Sequence, residues 1–329
     1  MNPAHTRRRF LALGAAAIAT SRLAAPALAF GADPLVKEQG IAFGADWSVT
    51  MPSKVDLTTL RPQIEAVLAT VDRMMSPWRP DSEISVFNAA ARGEYAVSPE
   101  TAFVVQSGLG LAQKTGGWFD PAVGPLVARW GFGPIQGTTG SEQNWTQLAA
   151  SEATLSKTRD DLTLDLCGIA KGRALDRIAN ILKTAGHEDF LIDLGGELIG
   201  HGQHPEGRGW RVAVEDPRIG VVGAAGVLDL SGRAVATSGF RAQSYQIGDR
   251  TYSHIIDPRK GLPVQTETLS VSVLATDGMT ADAWATALTA AGAEGPALAR
   301  LHGITALFLT ADATGLHPIA TGGFDRYLL

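Results

Sequence analysis

A single cysteine, Cys167, stands in 329 residues. It excludes an internal disulfide framework and any zinc or iron–sulfur site built from several cysteines. Basic charge is scarce as well. With 28 Lys and Arg against 33 Asp and Glu the net charge is −5, which leaves no basic footprint for nucleic acid. Beyond the N-terminus no apolar run is long enough to span a bilayer, and no repeat of solenoid length recurs. What is present is ordinary in proportion: 45% hydrophobic and 19% charged residues suit a soluble globular protein with a sizeable core. The length admits one large domain or two merged lobes.

The N-terminus reads as a targeting segment over residues 1–29, with the domain at 30–329. Thr6-Arg-Arg-Arg-Phe-Leu11 fits the twin-arginine export pattern, an Ala-rich run extends from Leu11 to Ala19, and Ala27-Leu-Ala29 offers a small-residue cleavage site. An N-terminal amphipathic helix of the fold is the plainer alternative, but charged start, apolar middle and Ala-x-Ala end occur in the order export requires. No cysteine lies near the cleavage site, so no lipid membrane anchor is expected, and the product is expected in a bacterial periplasm.

Two glycine signatures mark the middle of the chain: Asp165-Leu-Cys-Gly-Ile-Ala-Lys-Gly172 and Asp193-Leu-Gly-Gly-Glu197. The first follows the apolar run Leu162–Leu166, read as a strand. It leads into helical periodicity at Ala170, Ala174, Ile178, Ile181 and Leu182. The second follows the strand-like Phe190–Leu194. Such turns present backbone N–H groups and a helix N-terminus to a phosphate, although strand-to-helix turns also use glycine for geometry alone.

Around this centre the pattern predicts an opening strand over Ile41–Met51, a helix over residues 58–75 and a polar segment from Asp81 to Asn88. A second helix is expected from Ser98-Pro-Glu100 to about Lys114, stopping at Gly116-Gly117. Residues 119–133 read as an ordered loop and 134–160 as an irregular surface excursion. Strands are expected at Trp210–Val214, Gly226–Leu230 and Ala234–Thr237, then a hairpin from Tyr245 to Ile256 turning at Gly248-Asp249. A turn at Asp257–Gly261, a half-buried strand over Thr268–Ala275, a helix over Thr280–Ala291 and a strand over Ile304–Leu309 complete the reading. Strands grouped with few intervening helices favour α+β, with mixed or antiparallel sheets and packed helices.

Several segments, in order, resemble one family. Phe119-Asp-Pro-Ala-Val-Gly-Pro-Leu-Val127 with Trp130-Gly-Phe-Gly133 resembles FDPTVGPLV…WGFG, and the two glycine signatures resemble DLGGIAKGYAVD and NLGGE. Ala236-Thr-Ser-Gly239 with His254-Ile-Ile-Asp-Pro-Arg-Lys-Gly-Leu-Pro263 resembles ATSG…HIIDPxTGxP, and Ala281–Ala287 resembles the ADALATAL helix. Ser76-Pro-Trp78, Ser82–Asn88 and Ala42-Phe-Gly-Ala45 are weaker matches in the expected order. The chain is similar to the ApbE family, the FAD:protein FMN transferases, over nearly its whole mature length.

The resemblance implies a T-fold-related α+β fold. It also implies FAD with a divalent metal, usually Mg²⁺, placing FMN on a threonine or serine of an acceptor flavoprotein and releasing AMP. FAD hydrolysis to FMN and AMP, or flavin carriage with little turnover, is the alternative. A subset with twin-arginine leaders resembles NosX, whose target is a membrane-bound flavoprotein of nitrous-oxide reduction; the leader here is similar. By resemblance the metal ligands are Asp282 and Thr286, with a backbone carbonyl at Ala170 and a contribution near Ala285. Spacing alone places the Asp282 carboxylate and the Thr286 hydroxyl on one helix face, which equally fits an acid near the helix start. His254 and Asp257 are implied as catalytic residues and FAD contacts, His254 as a base for the acceptor hydroxyl; a capped turn is the other reading of Asp257. The implied FAD-binding set continues with Trp78, Trp118, Phe119, Asp120, Asp165, Cys167, Lys171, Arg173 and Ile255. Core packing competes for Phe119 and solvation for Lys171, while Glu197 reads as a capping or supporting group. The sequence departs from the family at Cys167, where glycine or serine is usual, and at Arg173, where an aromatic is usual. Trp78 replaces a stacking tyrosine, and Ala45-Asp46 replaces Gly-Thr. Arg173 is expected either to pair with phosphate or to alter the flavin pose, and Cys167 to be a small buried residue.

Overall fold

The computed structural model describes residues 35–137, 144–241, 243–248 and 250–329. The leader lies outside the described residues, as do part of the 134–160 excursion and Asp249 of the expected hairpin turn. The opening strand is two: β1 (Leu35–Ala42) and β2 (Ala45–Pro52) pair antiparallel around Phe43 and Gly44, whose φ of 54° and 73° make the turn. The first helix, α1 (Arg61–Met75), buries Ile64, Val67, Leu68, Val71 and Met75, the stripe its spacing predicts. Residues 81–88 correct the polar-segment reading. Ser82 Oγ accepts from Ser85 N and starts a short helix, α2 (Glu83–Ala89).

Strand β3 (Gly93–Ala96), which the pattern does not announce, precedes helix α3 (Pro99–Thr115). That helix has Ser98 as N-cap and ends at Gly116 in the left-handed conformation, as expected. The ordered loop at 119–133 contains a helix, α4 (Gly124–Arg129), and the excursion contains β4 (Leu148–Ser151) and β5 (Thr154–Lys157), which form a small sheet in the order β3-β5-β4. These pieces are short, so too few periods accumulate for the pattern to declare them.

The Leu162–Leu166 run is not a strand. Leu162, Leu164 and Leu166 are buried, but side chains stand where a neighbouring strand would be. Asn88 bonds both the N–H and C=O of Leu164, at 2.7 and 2.8 Å, and the Lys157 ammonium donates to Leu162 O at 3.0 Å. Helix α5 (Ala170–Thr184) follows, then β6 (Phe190–Leu194) and β7 (Glu197–His201), a hairpin whose turn is Gly195-Gly196, both at positive φ.

A separate ribbon, β8 (Arg211–Glu215) with β9 (Ala224–Asp229), precedes β10 (Arg233–Gly239). The expected hairpin is β11 (Ser244–Ile247) with β12 (Arg250–Ser253), and the next turn is closed by β13 (Ile256–Asp257) and β14 (Leu262–Pro263). Then come β15 (Thr268–Ala275), α6 (Gly278–Ala290), α7 (Gly295–Leu301), β16 (Thr305–Asp312) and β17 (Gly315–Thr321). The central sheet is antiparallel throughout, in the order β1-β2-β6-β7-β10-β15-β16-β17. The described residues belong to one unit, Asp33–Leu329.

Each face of this sheet carries a core. On one face α5 and α6 cover Ala234, Ala236, Val271 and Val273 within the larger apolar cluster. On the other, Val235, Leu274, Leu307 and Leu309 pack with Val212, Val214, Leu228 and Phe324. Because both faces are covered, β15 is buried along nearly its whole length, Ser270 and Ser272 included, and not half-buried as its alternation suggests.

Candidate active site

Helices α5 and α6 cross where neither has a side chain to separate them. A Cβ added at Gly172 would lie 2.2 Å from Gly278 O, and one at Gly278 would lie 2.6 Å from Gly172 O. The close approach lets each helix cap the other. Asp282, one turn into α6, accepts from Gly172 N in the first turn of α5 at 2.9 Å. Asp176 of α5 returns the contact, accepting from Gly278 N at 2.6 Å and Met279 N at 3.0 Å. Asp277 supplies the conventional N-cap, accepting from Thr280 N. Orphan N–H groups at both helix starts are thereby satisfied by carboxylates that also complement the helix dipoles. Burial is the largest influence on Asp176 and pushes its carboxyl up to about 6.

Asp282 is buried and Thr286 sits one turn further along the same face. Thr286 faces the glycine turn: a Cβ at Gly168 would come within 2.9 Å of its Oγ1, and Ser238 Oγ of β10 lies 3.5 Å from it. Lys171, next in α5, pairs with Glu197 at the start of β7. Glu197 is buried, and its second oxygen, Oε2, has no hydrogen-bond partner among the described residues. Burial, then the Asp282 charge, pushes Glu197 up to about 7. Asp282 is likewise raised by burial, against the pull of Lys171 and the Gly172 N–H. Burial works to lower Lys171, but Glu197 and Asp282 outweigh it and hold the ammonium above its usual value. Glu197 is the residue that sequence reasoning underrated. Its place at the end of the second glycine signature was the available signal; its orphaned oxygen is visible only in the fold.

Two loops close around this cluster. Pro121 O accepts from Asp165 N at 2.7 Å, so the Phe119–Ala122 loop braces the glycine turn, and Asp165 Oδ1 in turn accepts from Cys167 N. Asp120 accepts from Ala122 N at 2.7 Å, and burial raises its carboxyl to about 6. Arg259 reaches from the Asp257–Gly261 turn to lie 3.9 Å over the Trp118 ring. In that turn Asp257 is buried and accepts from Arg259 N and Lys260 N, with Lys260 Nζ 3.0 Å from its other oxygen. Its carboxylate is engaged in holding the turn. Ile255, beside it, is buried with Val264 and Ala290.

His254 is half-buried, and Gln243 O accepts from its backbone N–H at 3.2 Å and meets its Nδ1 at 3.1 Å. A carbonyl can only accept, so Nδ1 carries the proton and Nε2 keeps its lone pair. Burial is the main cause that lowers the ring's pKa, with a contribution from the Lys171 charge, which places His254 within electrostatic reach of the α5 turn.

Several expected roles change. Trp118 and Phe119 are only 6% and 3% exposed, and Phe119 packs in the larger apolar cluster. The Arg173 guanidinium is committed to Glu100 through a two-pronged fork at 2.7 and 3.0 Å and lies over Phe103, which removes it from the phosphate-binding set. The methyl of Ala285 is in the core and its carbonyl accepts from Thr289 Oγ1, so it offers no free oxygen. Ala170 opens α5, its N–H on Leu166 O. Cys167 is exposed, not buried, and the protein atoms crowding the cleft, then Asp165, hold its thiol well above the usual value. Trp78 stands 67% exposed where the chain leaves α1. No ring contact ties it to the cluster among the described residues.

A cavity of about 500 Å³ lies on the opposite face of the sheet, lined by Val212, Val214, Thr237, Ser270 and Ser272. Strand β10 separates the two: Thr237 faces the cavity and Ser238 faces Thr286. The polar α5–α6 cluster is therefore not part of that cavity.

Residues 43–308 match the ApbE family. The chain belongs to that family. A Vibrio cholerae relative named FAD:protein FMN transferase is 35% identical over 297 residues, covering 85% of this chain and 88% of its own. The Escherichia coli (strain K12) protein of the same name is 29% identical over 311 residues, covering 88% of each. Among solved structures, flavin transferase ApbE from Vibrio cholerae superposes with a TM-score of 0.80 at 33% identity, covering 90% of this chain and 99% of that one. The apo form of Pseudomonas stutzeri flavinyl transferase ApbE gives 0.78 at 30% identity, covering 90% and 97%. The fold is that of the ApbE structures, mixed helices and antiparallel sheets, as the residue pattern and the resemblance anticipate.

Proposed function

We propose that this ApbE-family chain is an FAD:protein FMN transferase, acting on a threonine or serine hydroxyl of an acceptor flavoprotein and releasing AMP. The observation that carries the reading, beside family membership, is the α5–α6 cluster: buried Asp282 on the first-turn N–H of α5, Thr286 beside it, and the Lys171–Glu197 pair adjacent. The acceptor oxygen attacks the FMN-side phosphorus of the diphosphate, the bond from that phosphorus to the bridging oxygen breaks, and AMP leaves. His254 Nε2 takes the hydroxyl proton, the Nδ1–H being held by Gln243 O. The Lys171 ammonium, held by Glu197, keeps a fixed positive charge beside the start of α5.

The residues present fit a hard divalent cation such as Mg²⁺. Their donors are oxygen only, Asp282 and Thr286 with the Ala170 backbone, and two buried carboxylates repel one another beside an orphaned Glu197 oxygen. Among the described residues no three His, Cys, Asp or Glu side chains gather as a metal cage, but Mg²⁺ commonly binds one or two carboxylates and completes its shell with phosphate and water. When bound, such an ion supplies charge neutralisation at the diphosphate.

The twin-arginine-type leader supports export and a periplasm-facing acceptor, for which a membrane flavoprotein of nitrous-oxide reduction is the candidate. The test is direct. The exported form is incubated with FAD, Mg²⁺ and a threonine-bearing target domain, and the target is weighed for covalent FMN while AMP is measured. An adduct with AMP supports transfer. AMP without adduct supports hydrolysis, and FAD binding with neither product leaves a carrier.

A further inference from the structure

Trp130, Tyr252, Tyr245 and Phe132 form an unbroken aromatic ladder beside His254. Their ring centroids are 5.4, 5.7 and 5.2 Å apart along that order, with planes within 15–22° of parallel, and Phe132 ends edge-on to the His254 ring at 6.3 Å. Hydrogen bonds tie the ladder to its surroundings: Trp130 Nε1 donates to Gly261 O at 3.2 Å, and Tyr245 Oη donates to Trp130 O at 3.3 Å.

Two of these rings belong to the β11–β12 ribbon, which among the described residues pairs with no strand of the central sheet. A ribbon of two four-residue strands is marginal alone in water. Burial in a core does not hold it either. None of the four aromatics belongs to the two large apolar clusters, Tyr245 is 36% exposed and Ile247 is 62% exposed. Stacking on the Trp130–Phe132 segment fixes it, together with the hydrogen bonds of Tyr245 Oη to Trp130 O and of Gln265 Nε2 to Thr251 O. The root of the ribbon is the part that matters chemically. Gln243 enters β11, His254 leaves β12, and the Gln243 carbonyl holds both the His254 backbone N–H and Nδ1.

We propose that this ladder is a positioning device for His254: by anchoring the β11–β12 ribbon it keeps Gln243 O on Nδ1 and leaves Nε2 directed as the base. The inference rests on the reading of His254 as base. Tyr252 is one of the two inner rungs, stacked on Trp130 and Tyr245, and its hydroxyl makes no hydrogen bond among the described residues. The ring alone does its work, so phenylalanine should replace it and alanine should not.

The experiment compares full-length wild type, Tyr252→Ala, Tyr252→Phe and Phe132→Leu for FAD affinity, kcat of FMN transfer and the tautomer of His254. The tautomer is read at a fixed pH of about 8, where an ordinary imidazole is neutral, from long-range ¹H–¹⁵N correlations assigned with His254→Gln. Expected for Tyr252→Ala is a fall in kcat of about 10- to 100-fold, FAD affinity kept within about threefold, and loss of the pure Nδ1–H signature, with Tyr252→Phe close to wild type. Phe132→Leu, which keeps the ribbon rungs, guards against a Tyr252→Ala protein that does not fold and should show the same direction of change. Unchanged kcat and tautomer in Tyr252→Ala and Phe132→Leu would overturn the proposal, as would equal losses in Tyr252→Ala and Tyr252→Phe. Full transfer activity in His254→Gln would instead defeat the base reading, while the tautomer of the Tyr252 variants still decides whether the ladder orders the ring.

Discussion

At the scale of single residues, the two titratable groups with the clearest consequences are His254 and Asp120. As the proposed base, the His254 ring acts only when neutral, and burial, aided by Lys171, lowers its pKa. Rate should therefore rise with pH through a value below the ordinary 6.5 or so and stay level above it. A kcat profile from pH 5 to 8 checks this; an acid limb centred above 6.5 would contradict it. Asp120 moves the other way, to about 6, against roughly 3.9 in an unfolded chain. The folded state binds that proton more tightly, so the carboxyl costs stability above pH 6 and the cost fades as pH falls towards 4. Asp120→Asn keeps an oxygen for Ala122 N–H and should stabilise the fold by up to about 2–3 kcal/mol at pH 7.5, with no gain at pH 4. Urea unfolding at the two pH values measures it. Asp282 and Thr286 were legible as residues sharing a face because a helix fixes their spacing. For Trp118 and Phe119 the pattern leaves the choice open, since an aromatic in a motif looks the same whether its ring meets a ligand or the core. Arg173 misled for a related reason: its partner, Glu100, lies 73 positions away and nothing local announces it.

Elements were legible in proportion to their length. Helices α1, α3, α5 and α6 carry enough turns for an apolar stripe to repeat, and caps such as Ser98 and Gly116 mark their ends. The Leu162–Leu166 run shows the limit: its apolar residues are buried as a strand's would be, but a strand is defined by its partner, and here the partners are Asn88 and Lys157 side chains. What no periodicity could supply is the α5–α6 crossing, because it depends on two glycines 106 positions apart in the chain meeting backbone to backbone. That contact is testable. In Gly172→Ala the new methyl would sit 2.2 Å from Gly278 O, so the helices must part, and the Asp282–Gly172 N–H bond must lengthen or break. Overpacking of this kind costs about 1–3 kcal/mol, sometimes more. The expected result is a lower urea midpoint together with lost transfer activity. Gly110→Ala, at a helical glycine with nothing within 4 Å of its added Cβ, is the control: activity should stay and the midpoint should not fall but rise slightly, since alanine favours the helix.

For the whole molecule, composition and the grouping of strands suffice for the α+β class, but not for strand order. β2 pairs with β6 across more than 130 residues of intervening chain, and β7 pairs with β10 past an inserted ribbon. This non-local order sets the glycine turn of 165–172 against a helix near residue 280, and each half alone is an incomplete set of donors. One thermodynamic consequence follows from joining them. Folding brings the Asp282 and Glu197 carboxylates together in a buried place with a single ammonium, Lys171, between them. Part of the negative charge there is left uncompensated, and repulsion of this kind is costly at low dielectric. A divalent cation bound to the folded state alone would relieve it, and ligation of the native state raises stability by RT ln(1 + [L]/Kd), about 2.7 kcal/mol at a hundredfold excess over Kd. Mg²⁺ without FAD should therefore raise the melting temperature of the wild type, and a chelator should reverse the shift. Asp282→Ala should melt at the same temperature with and without Mg²⁺, because the carboxylate that bridges the two helices is gone. Asp160→Ala serves as the comparison: its carboxylate accepts from Arg92 N on the surface, away from the crossing, and the Mg²⁺ shift should persist. A shift of equal size in Asp282→Ala would place the cation elsewhere, and no shift in the wild type would mean that the ion enters only with the flavin diphosphate.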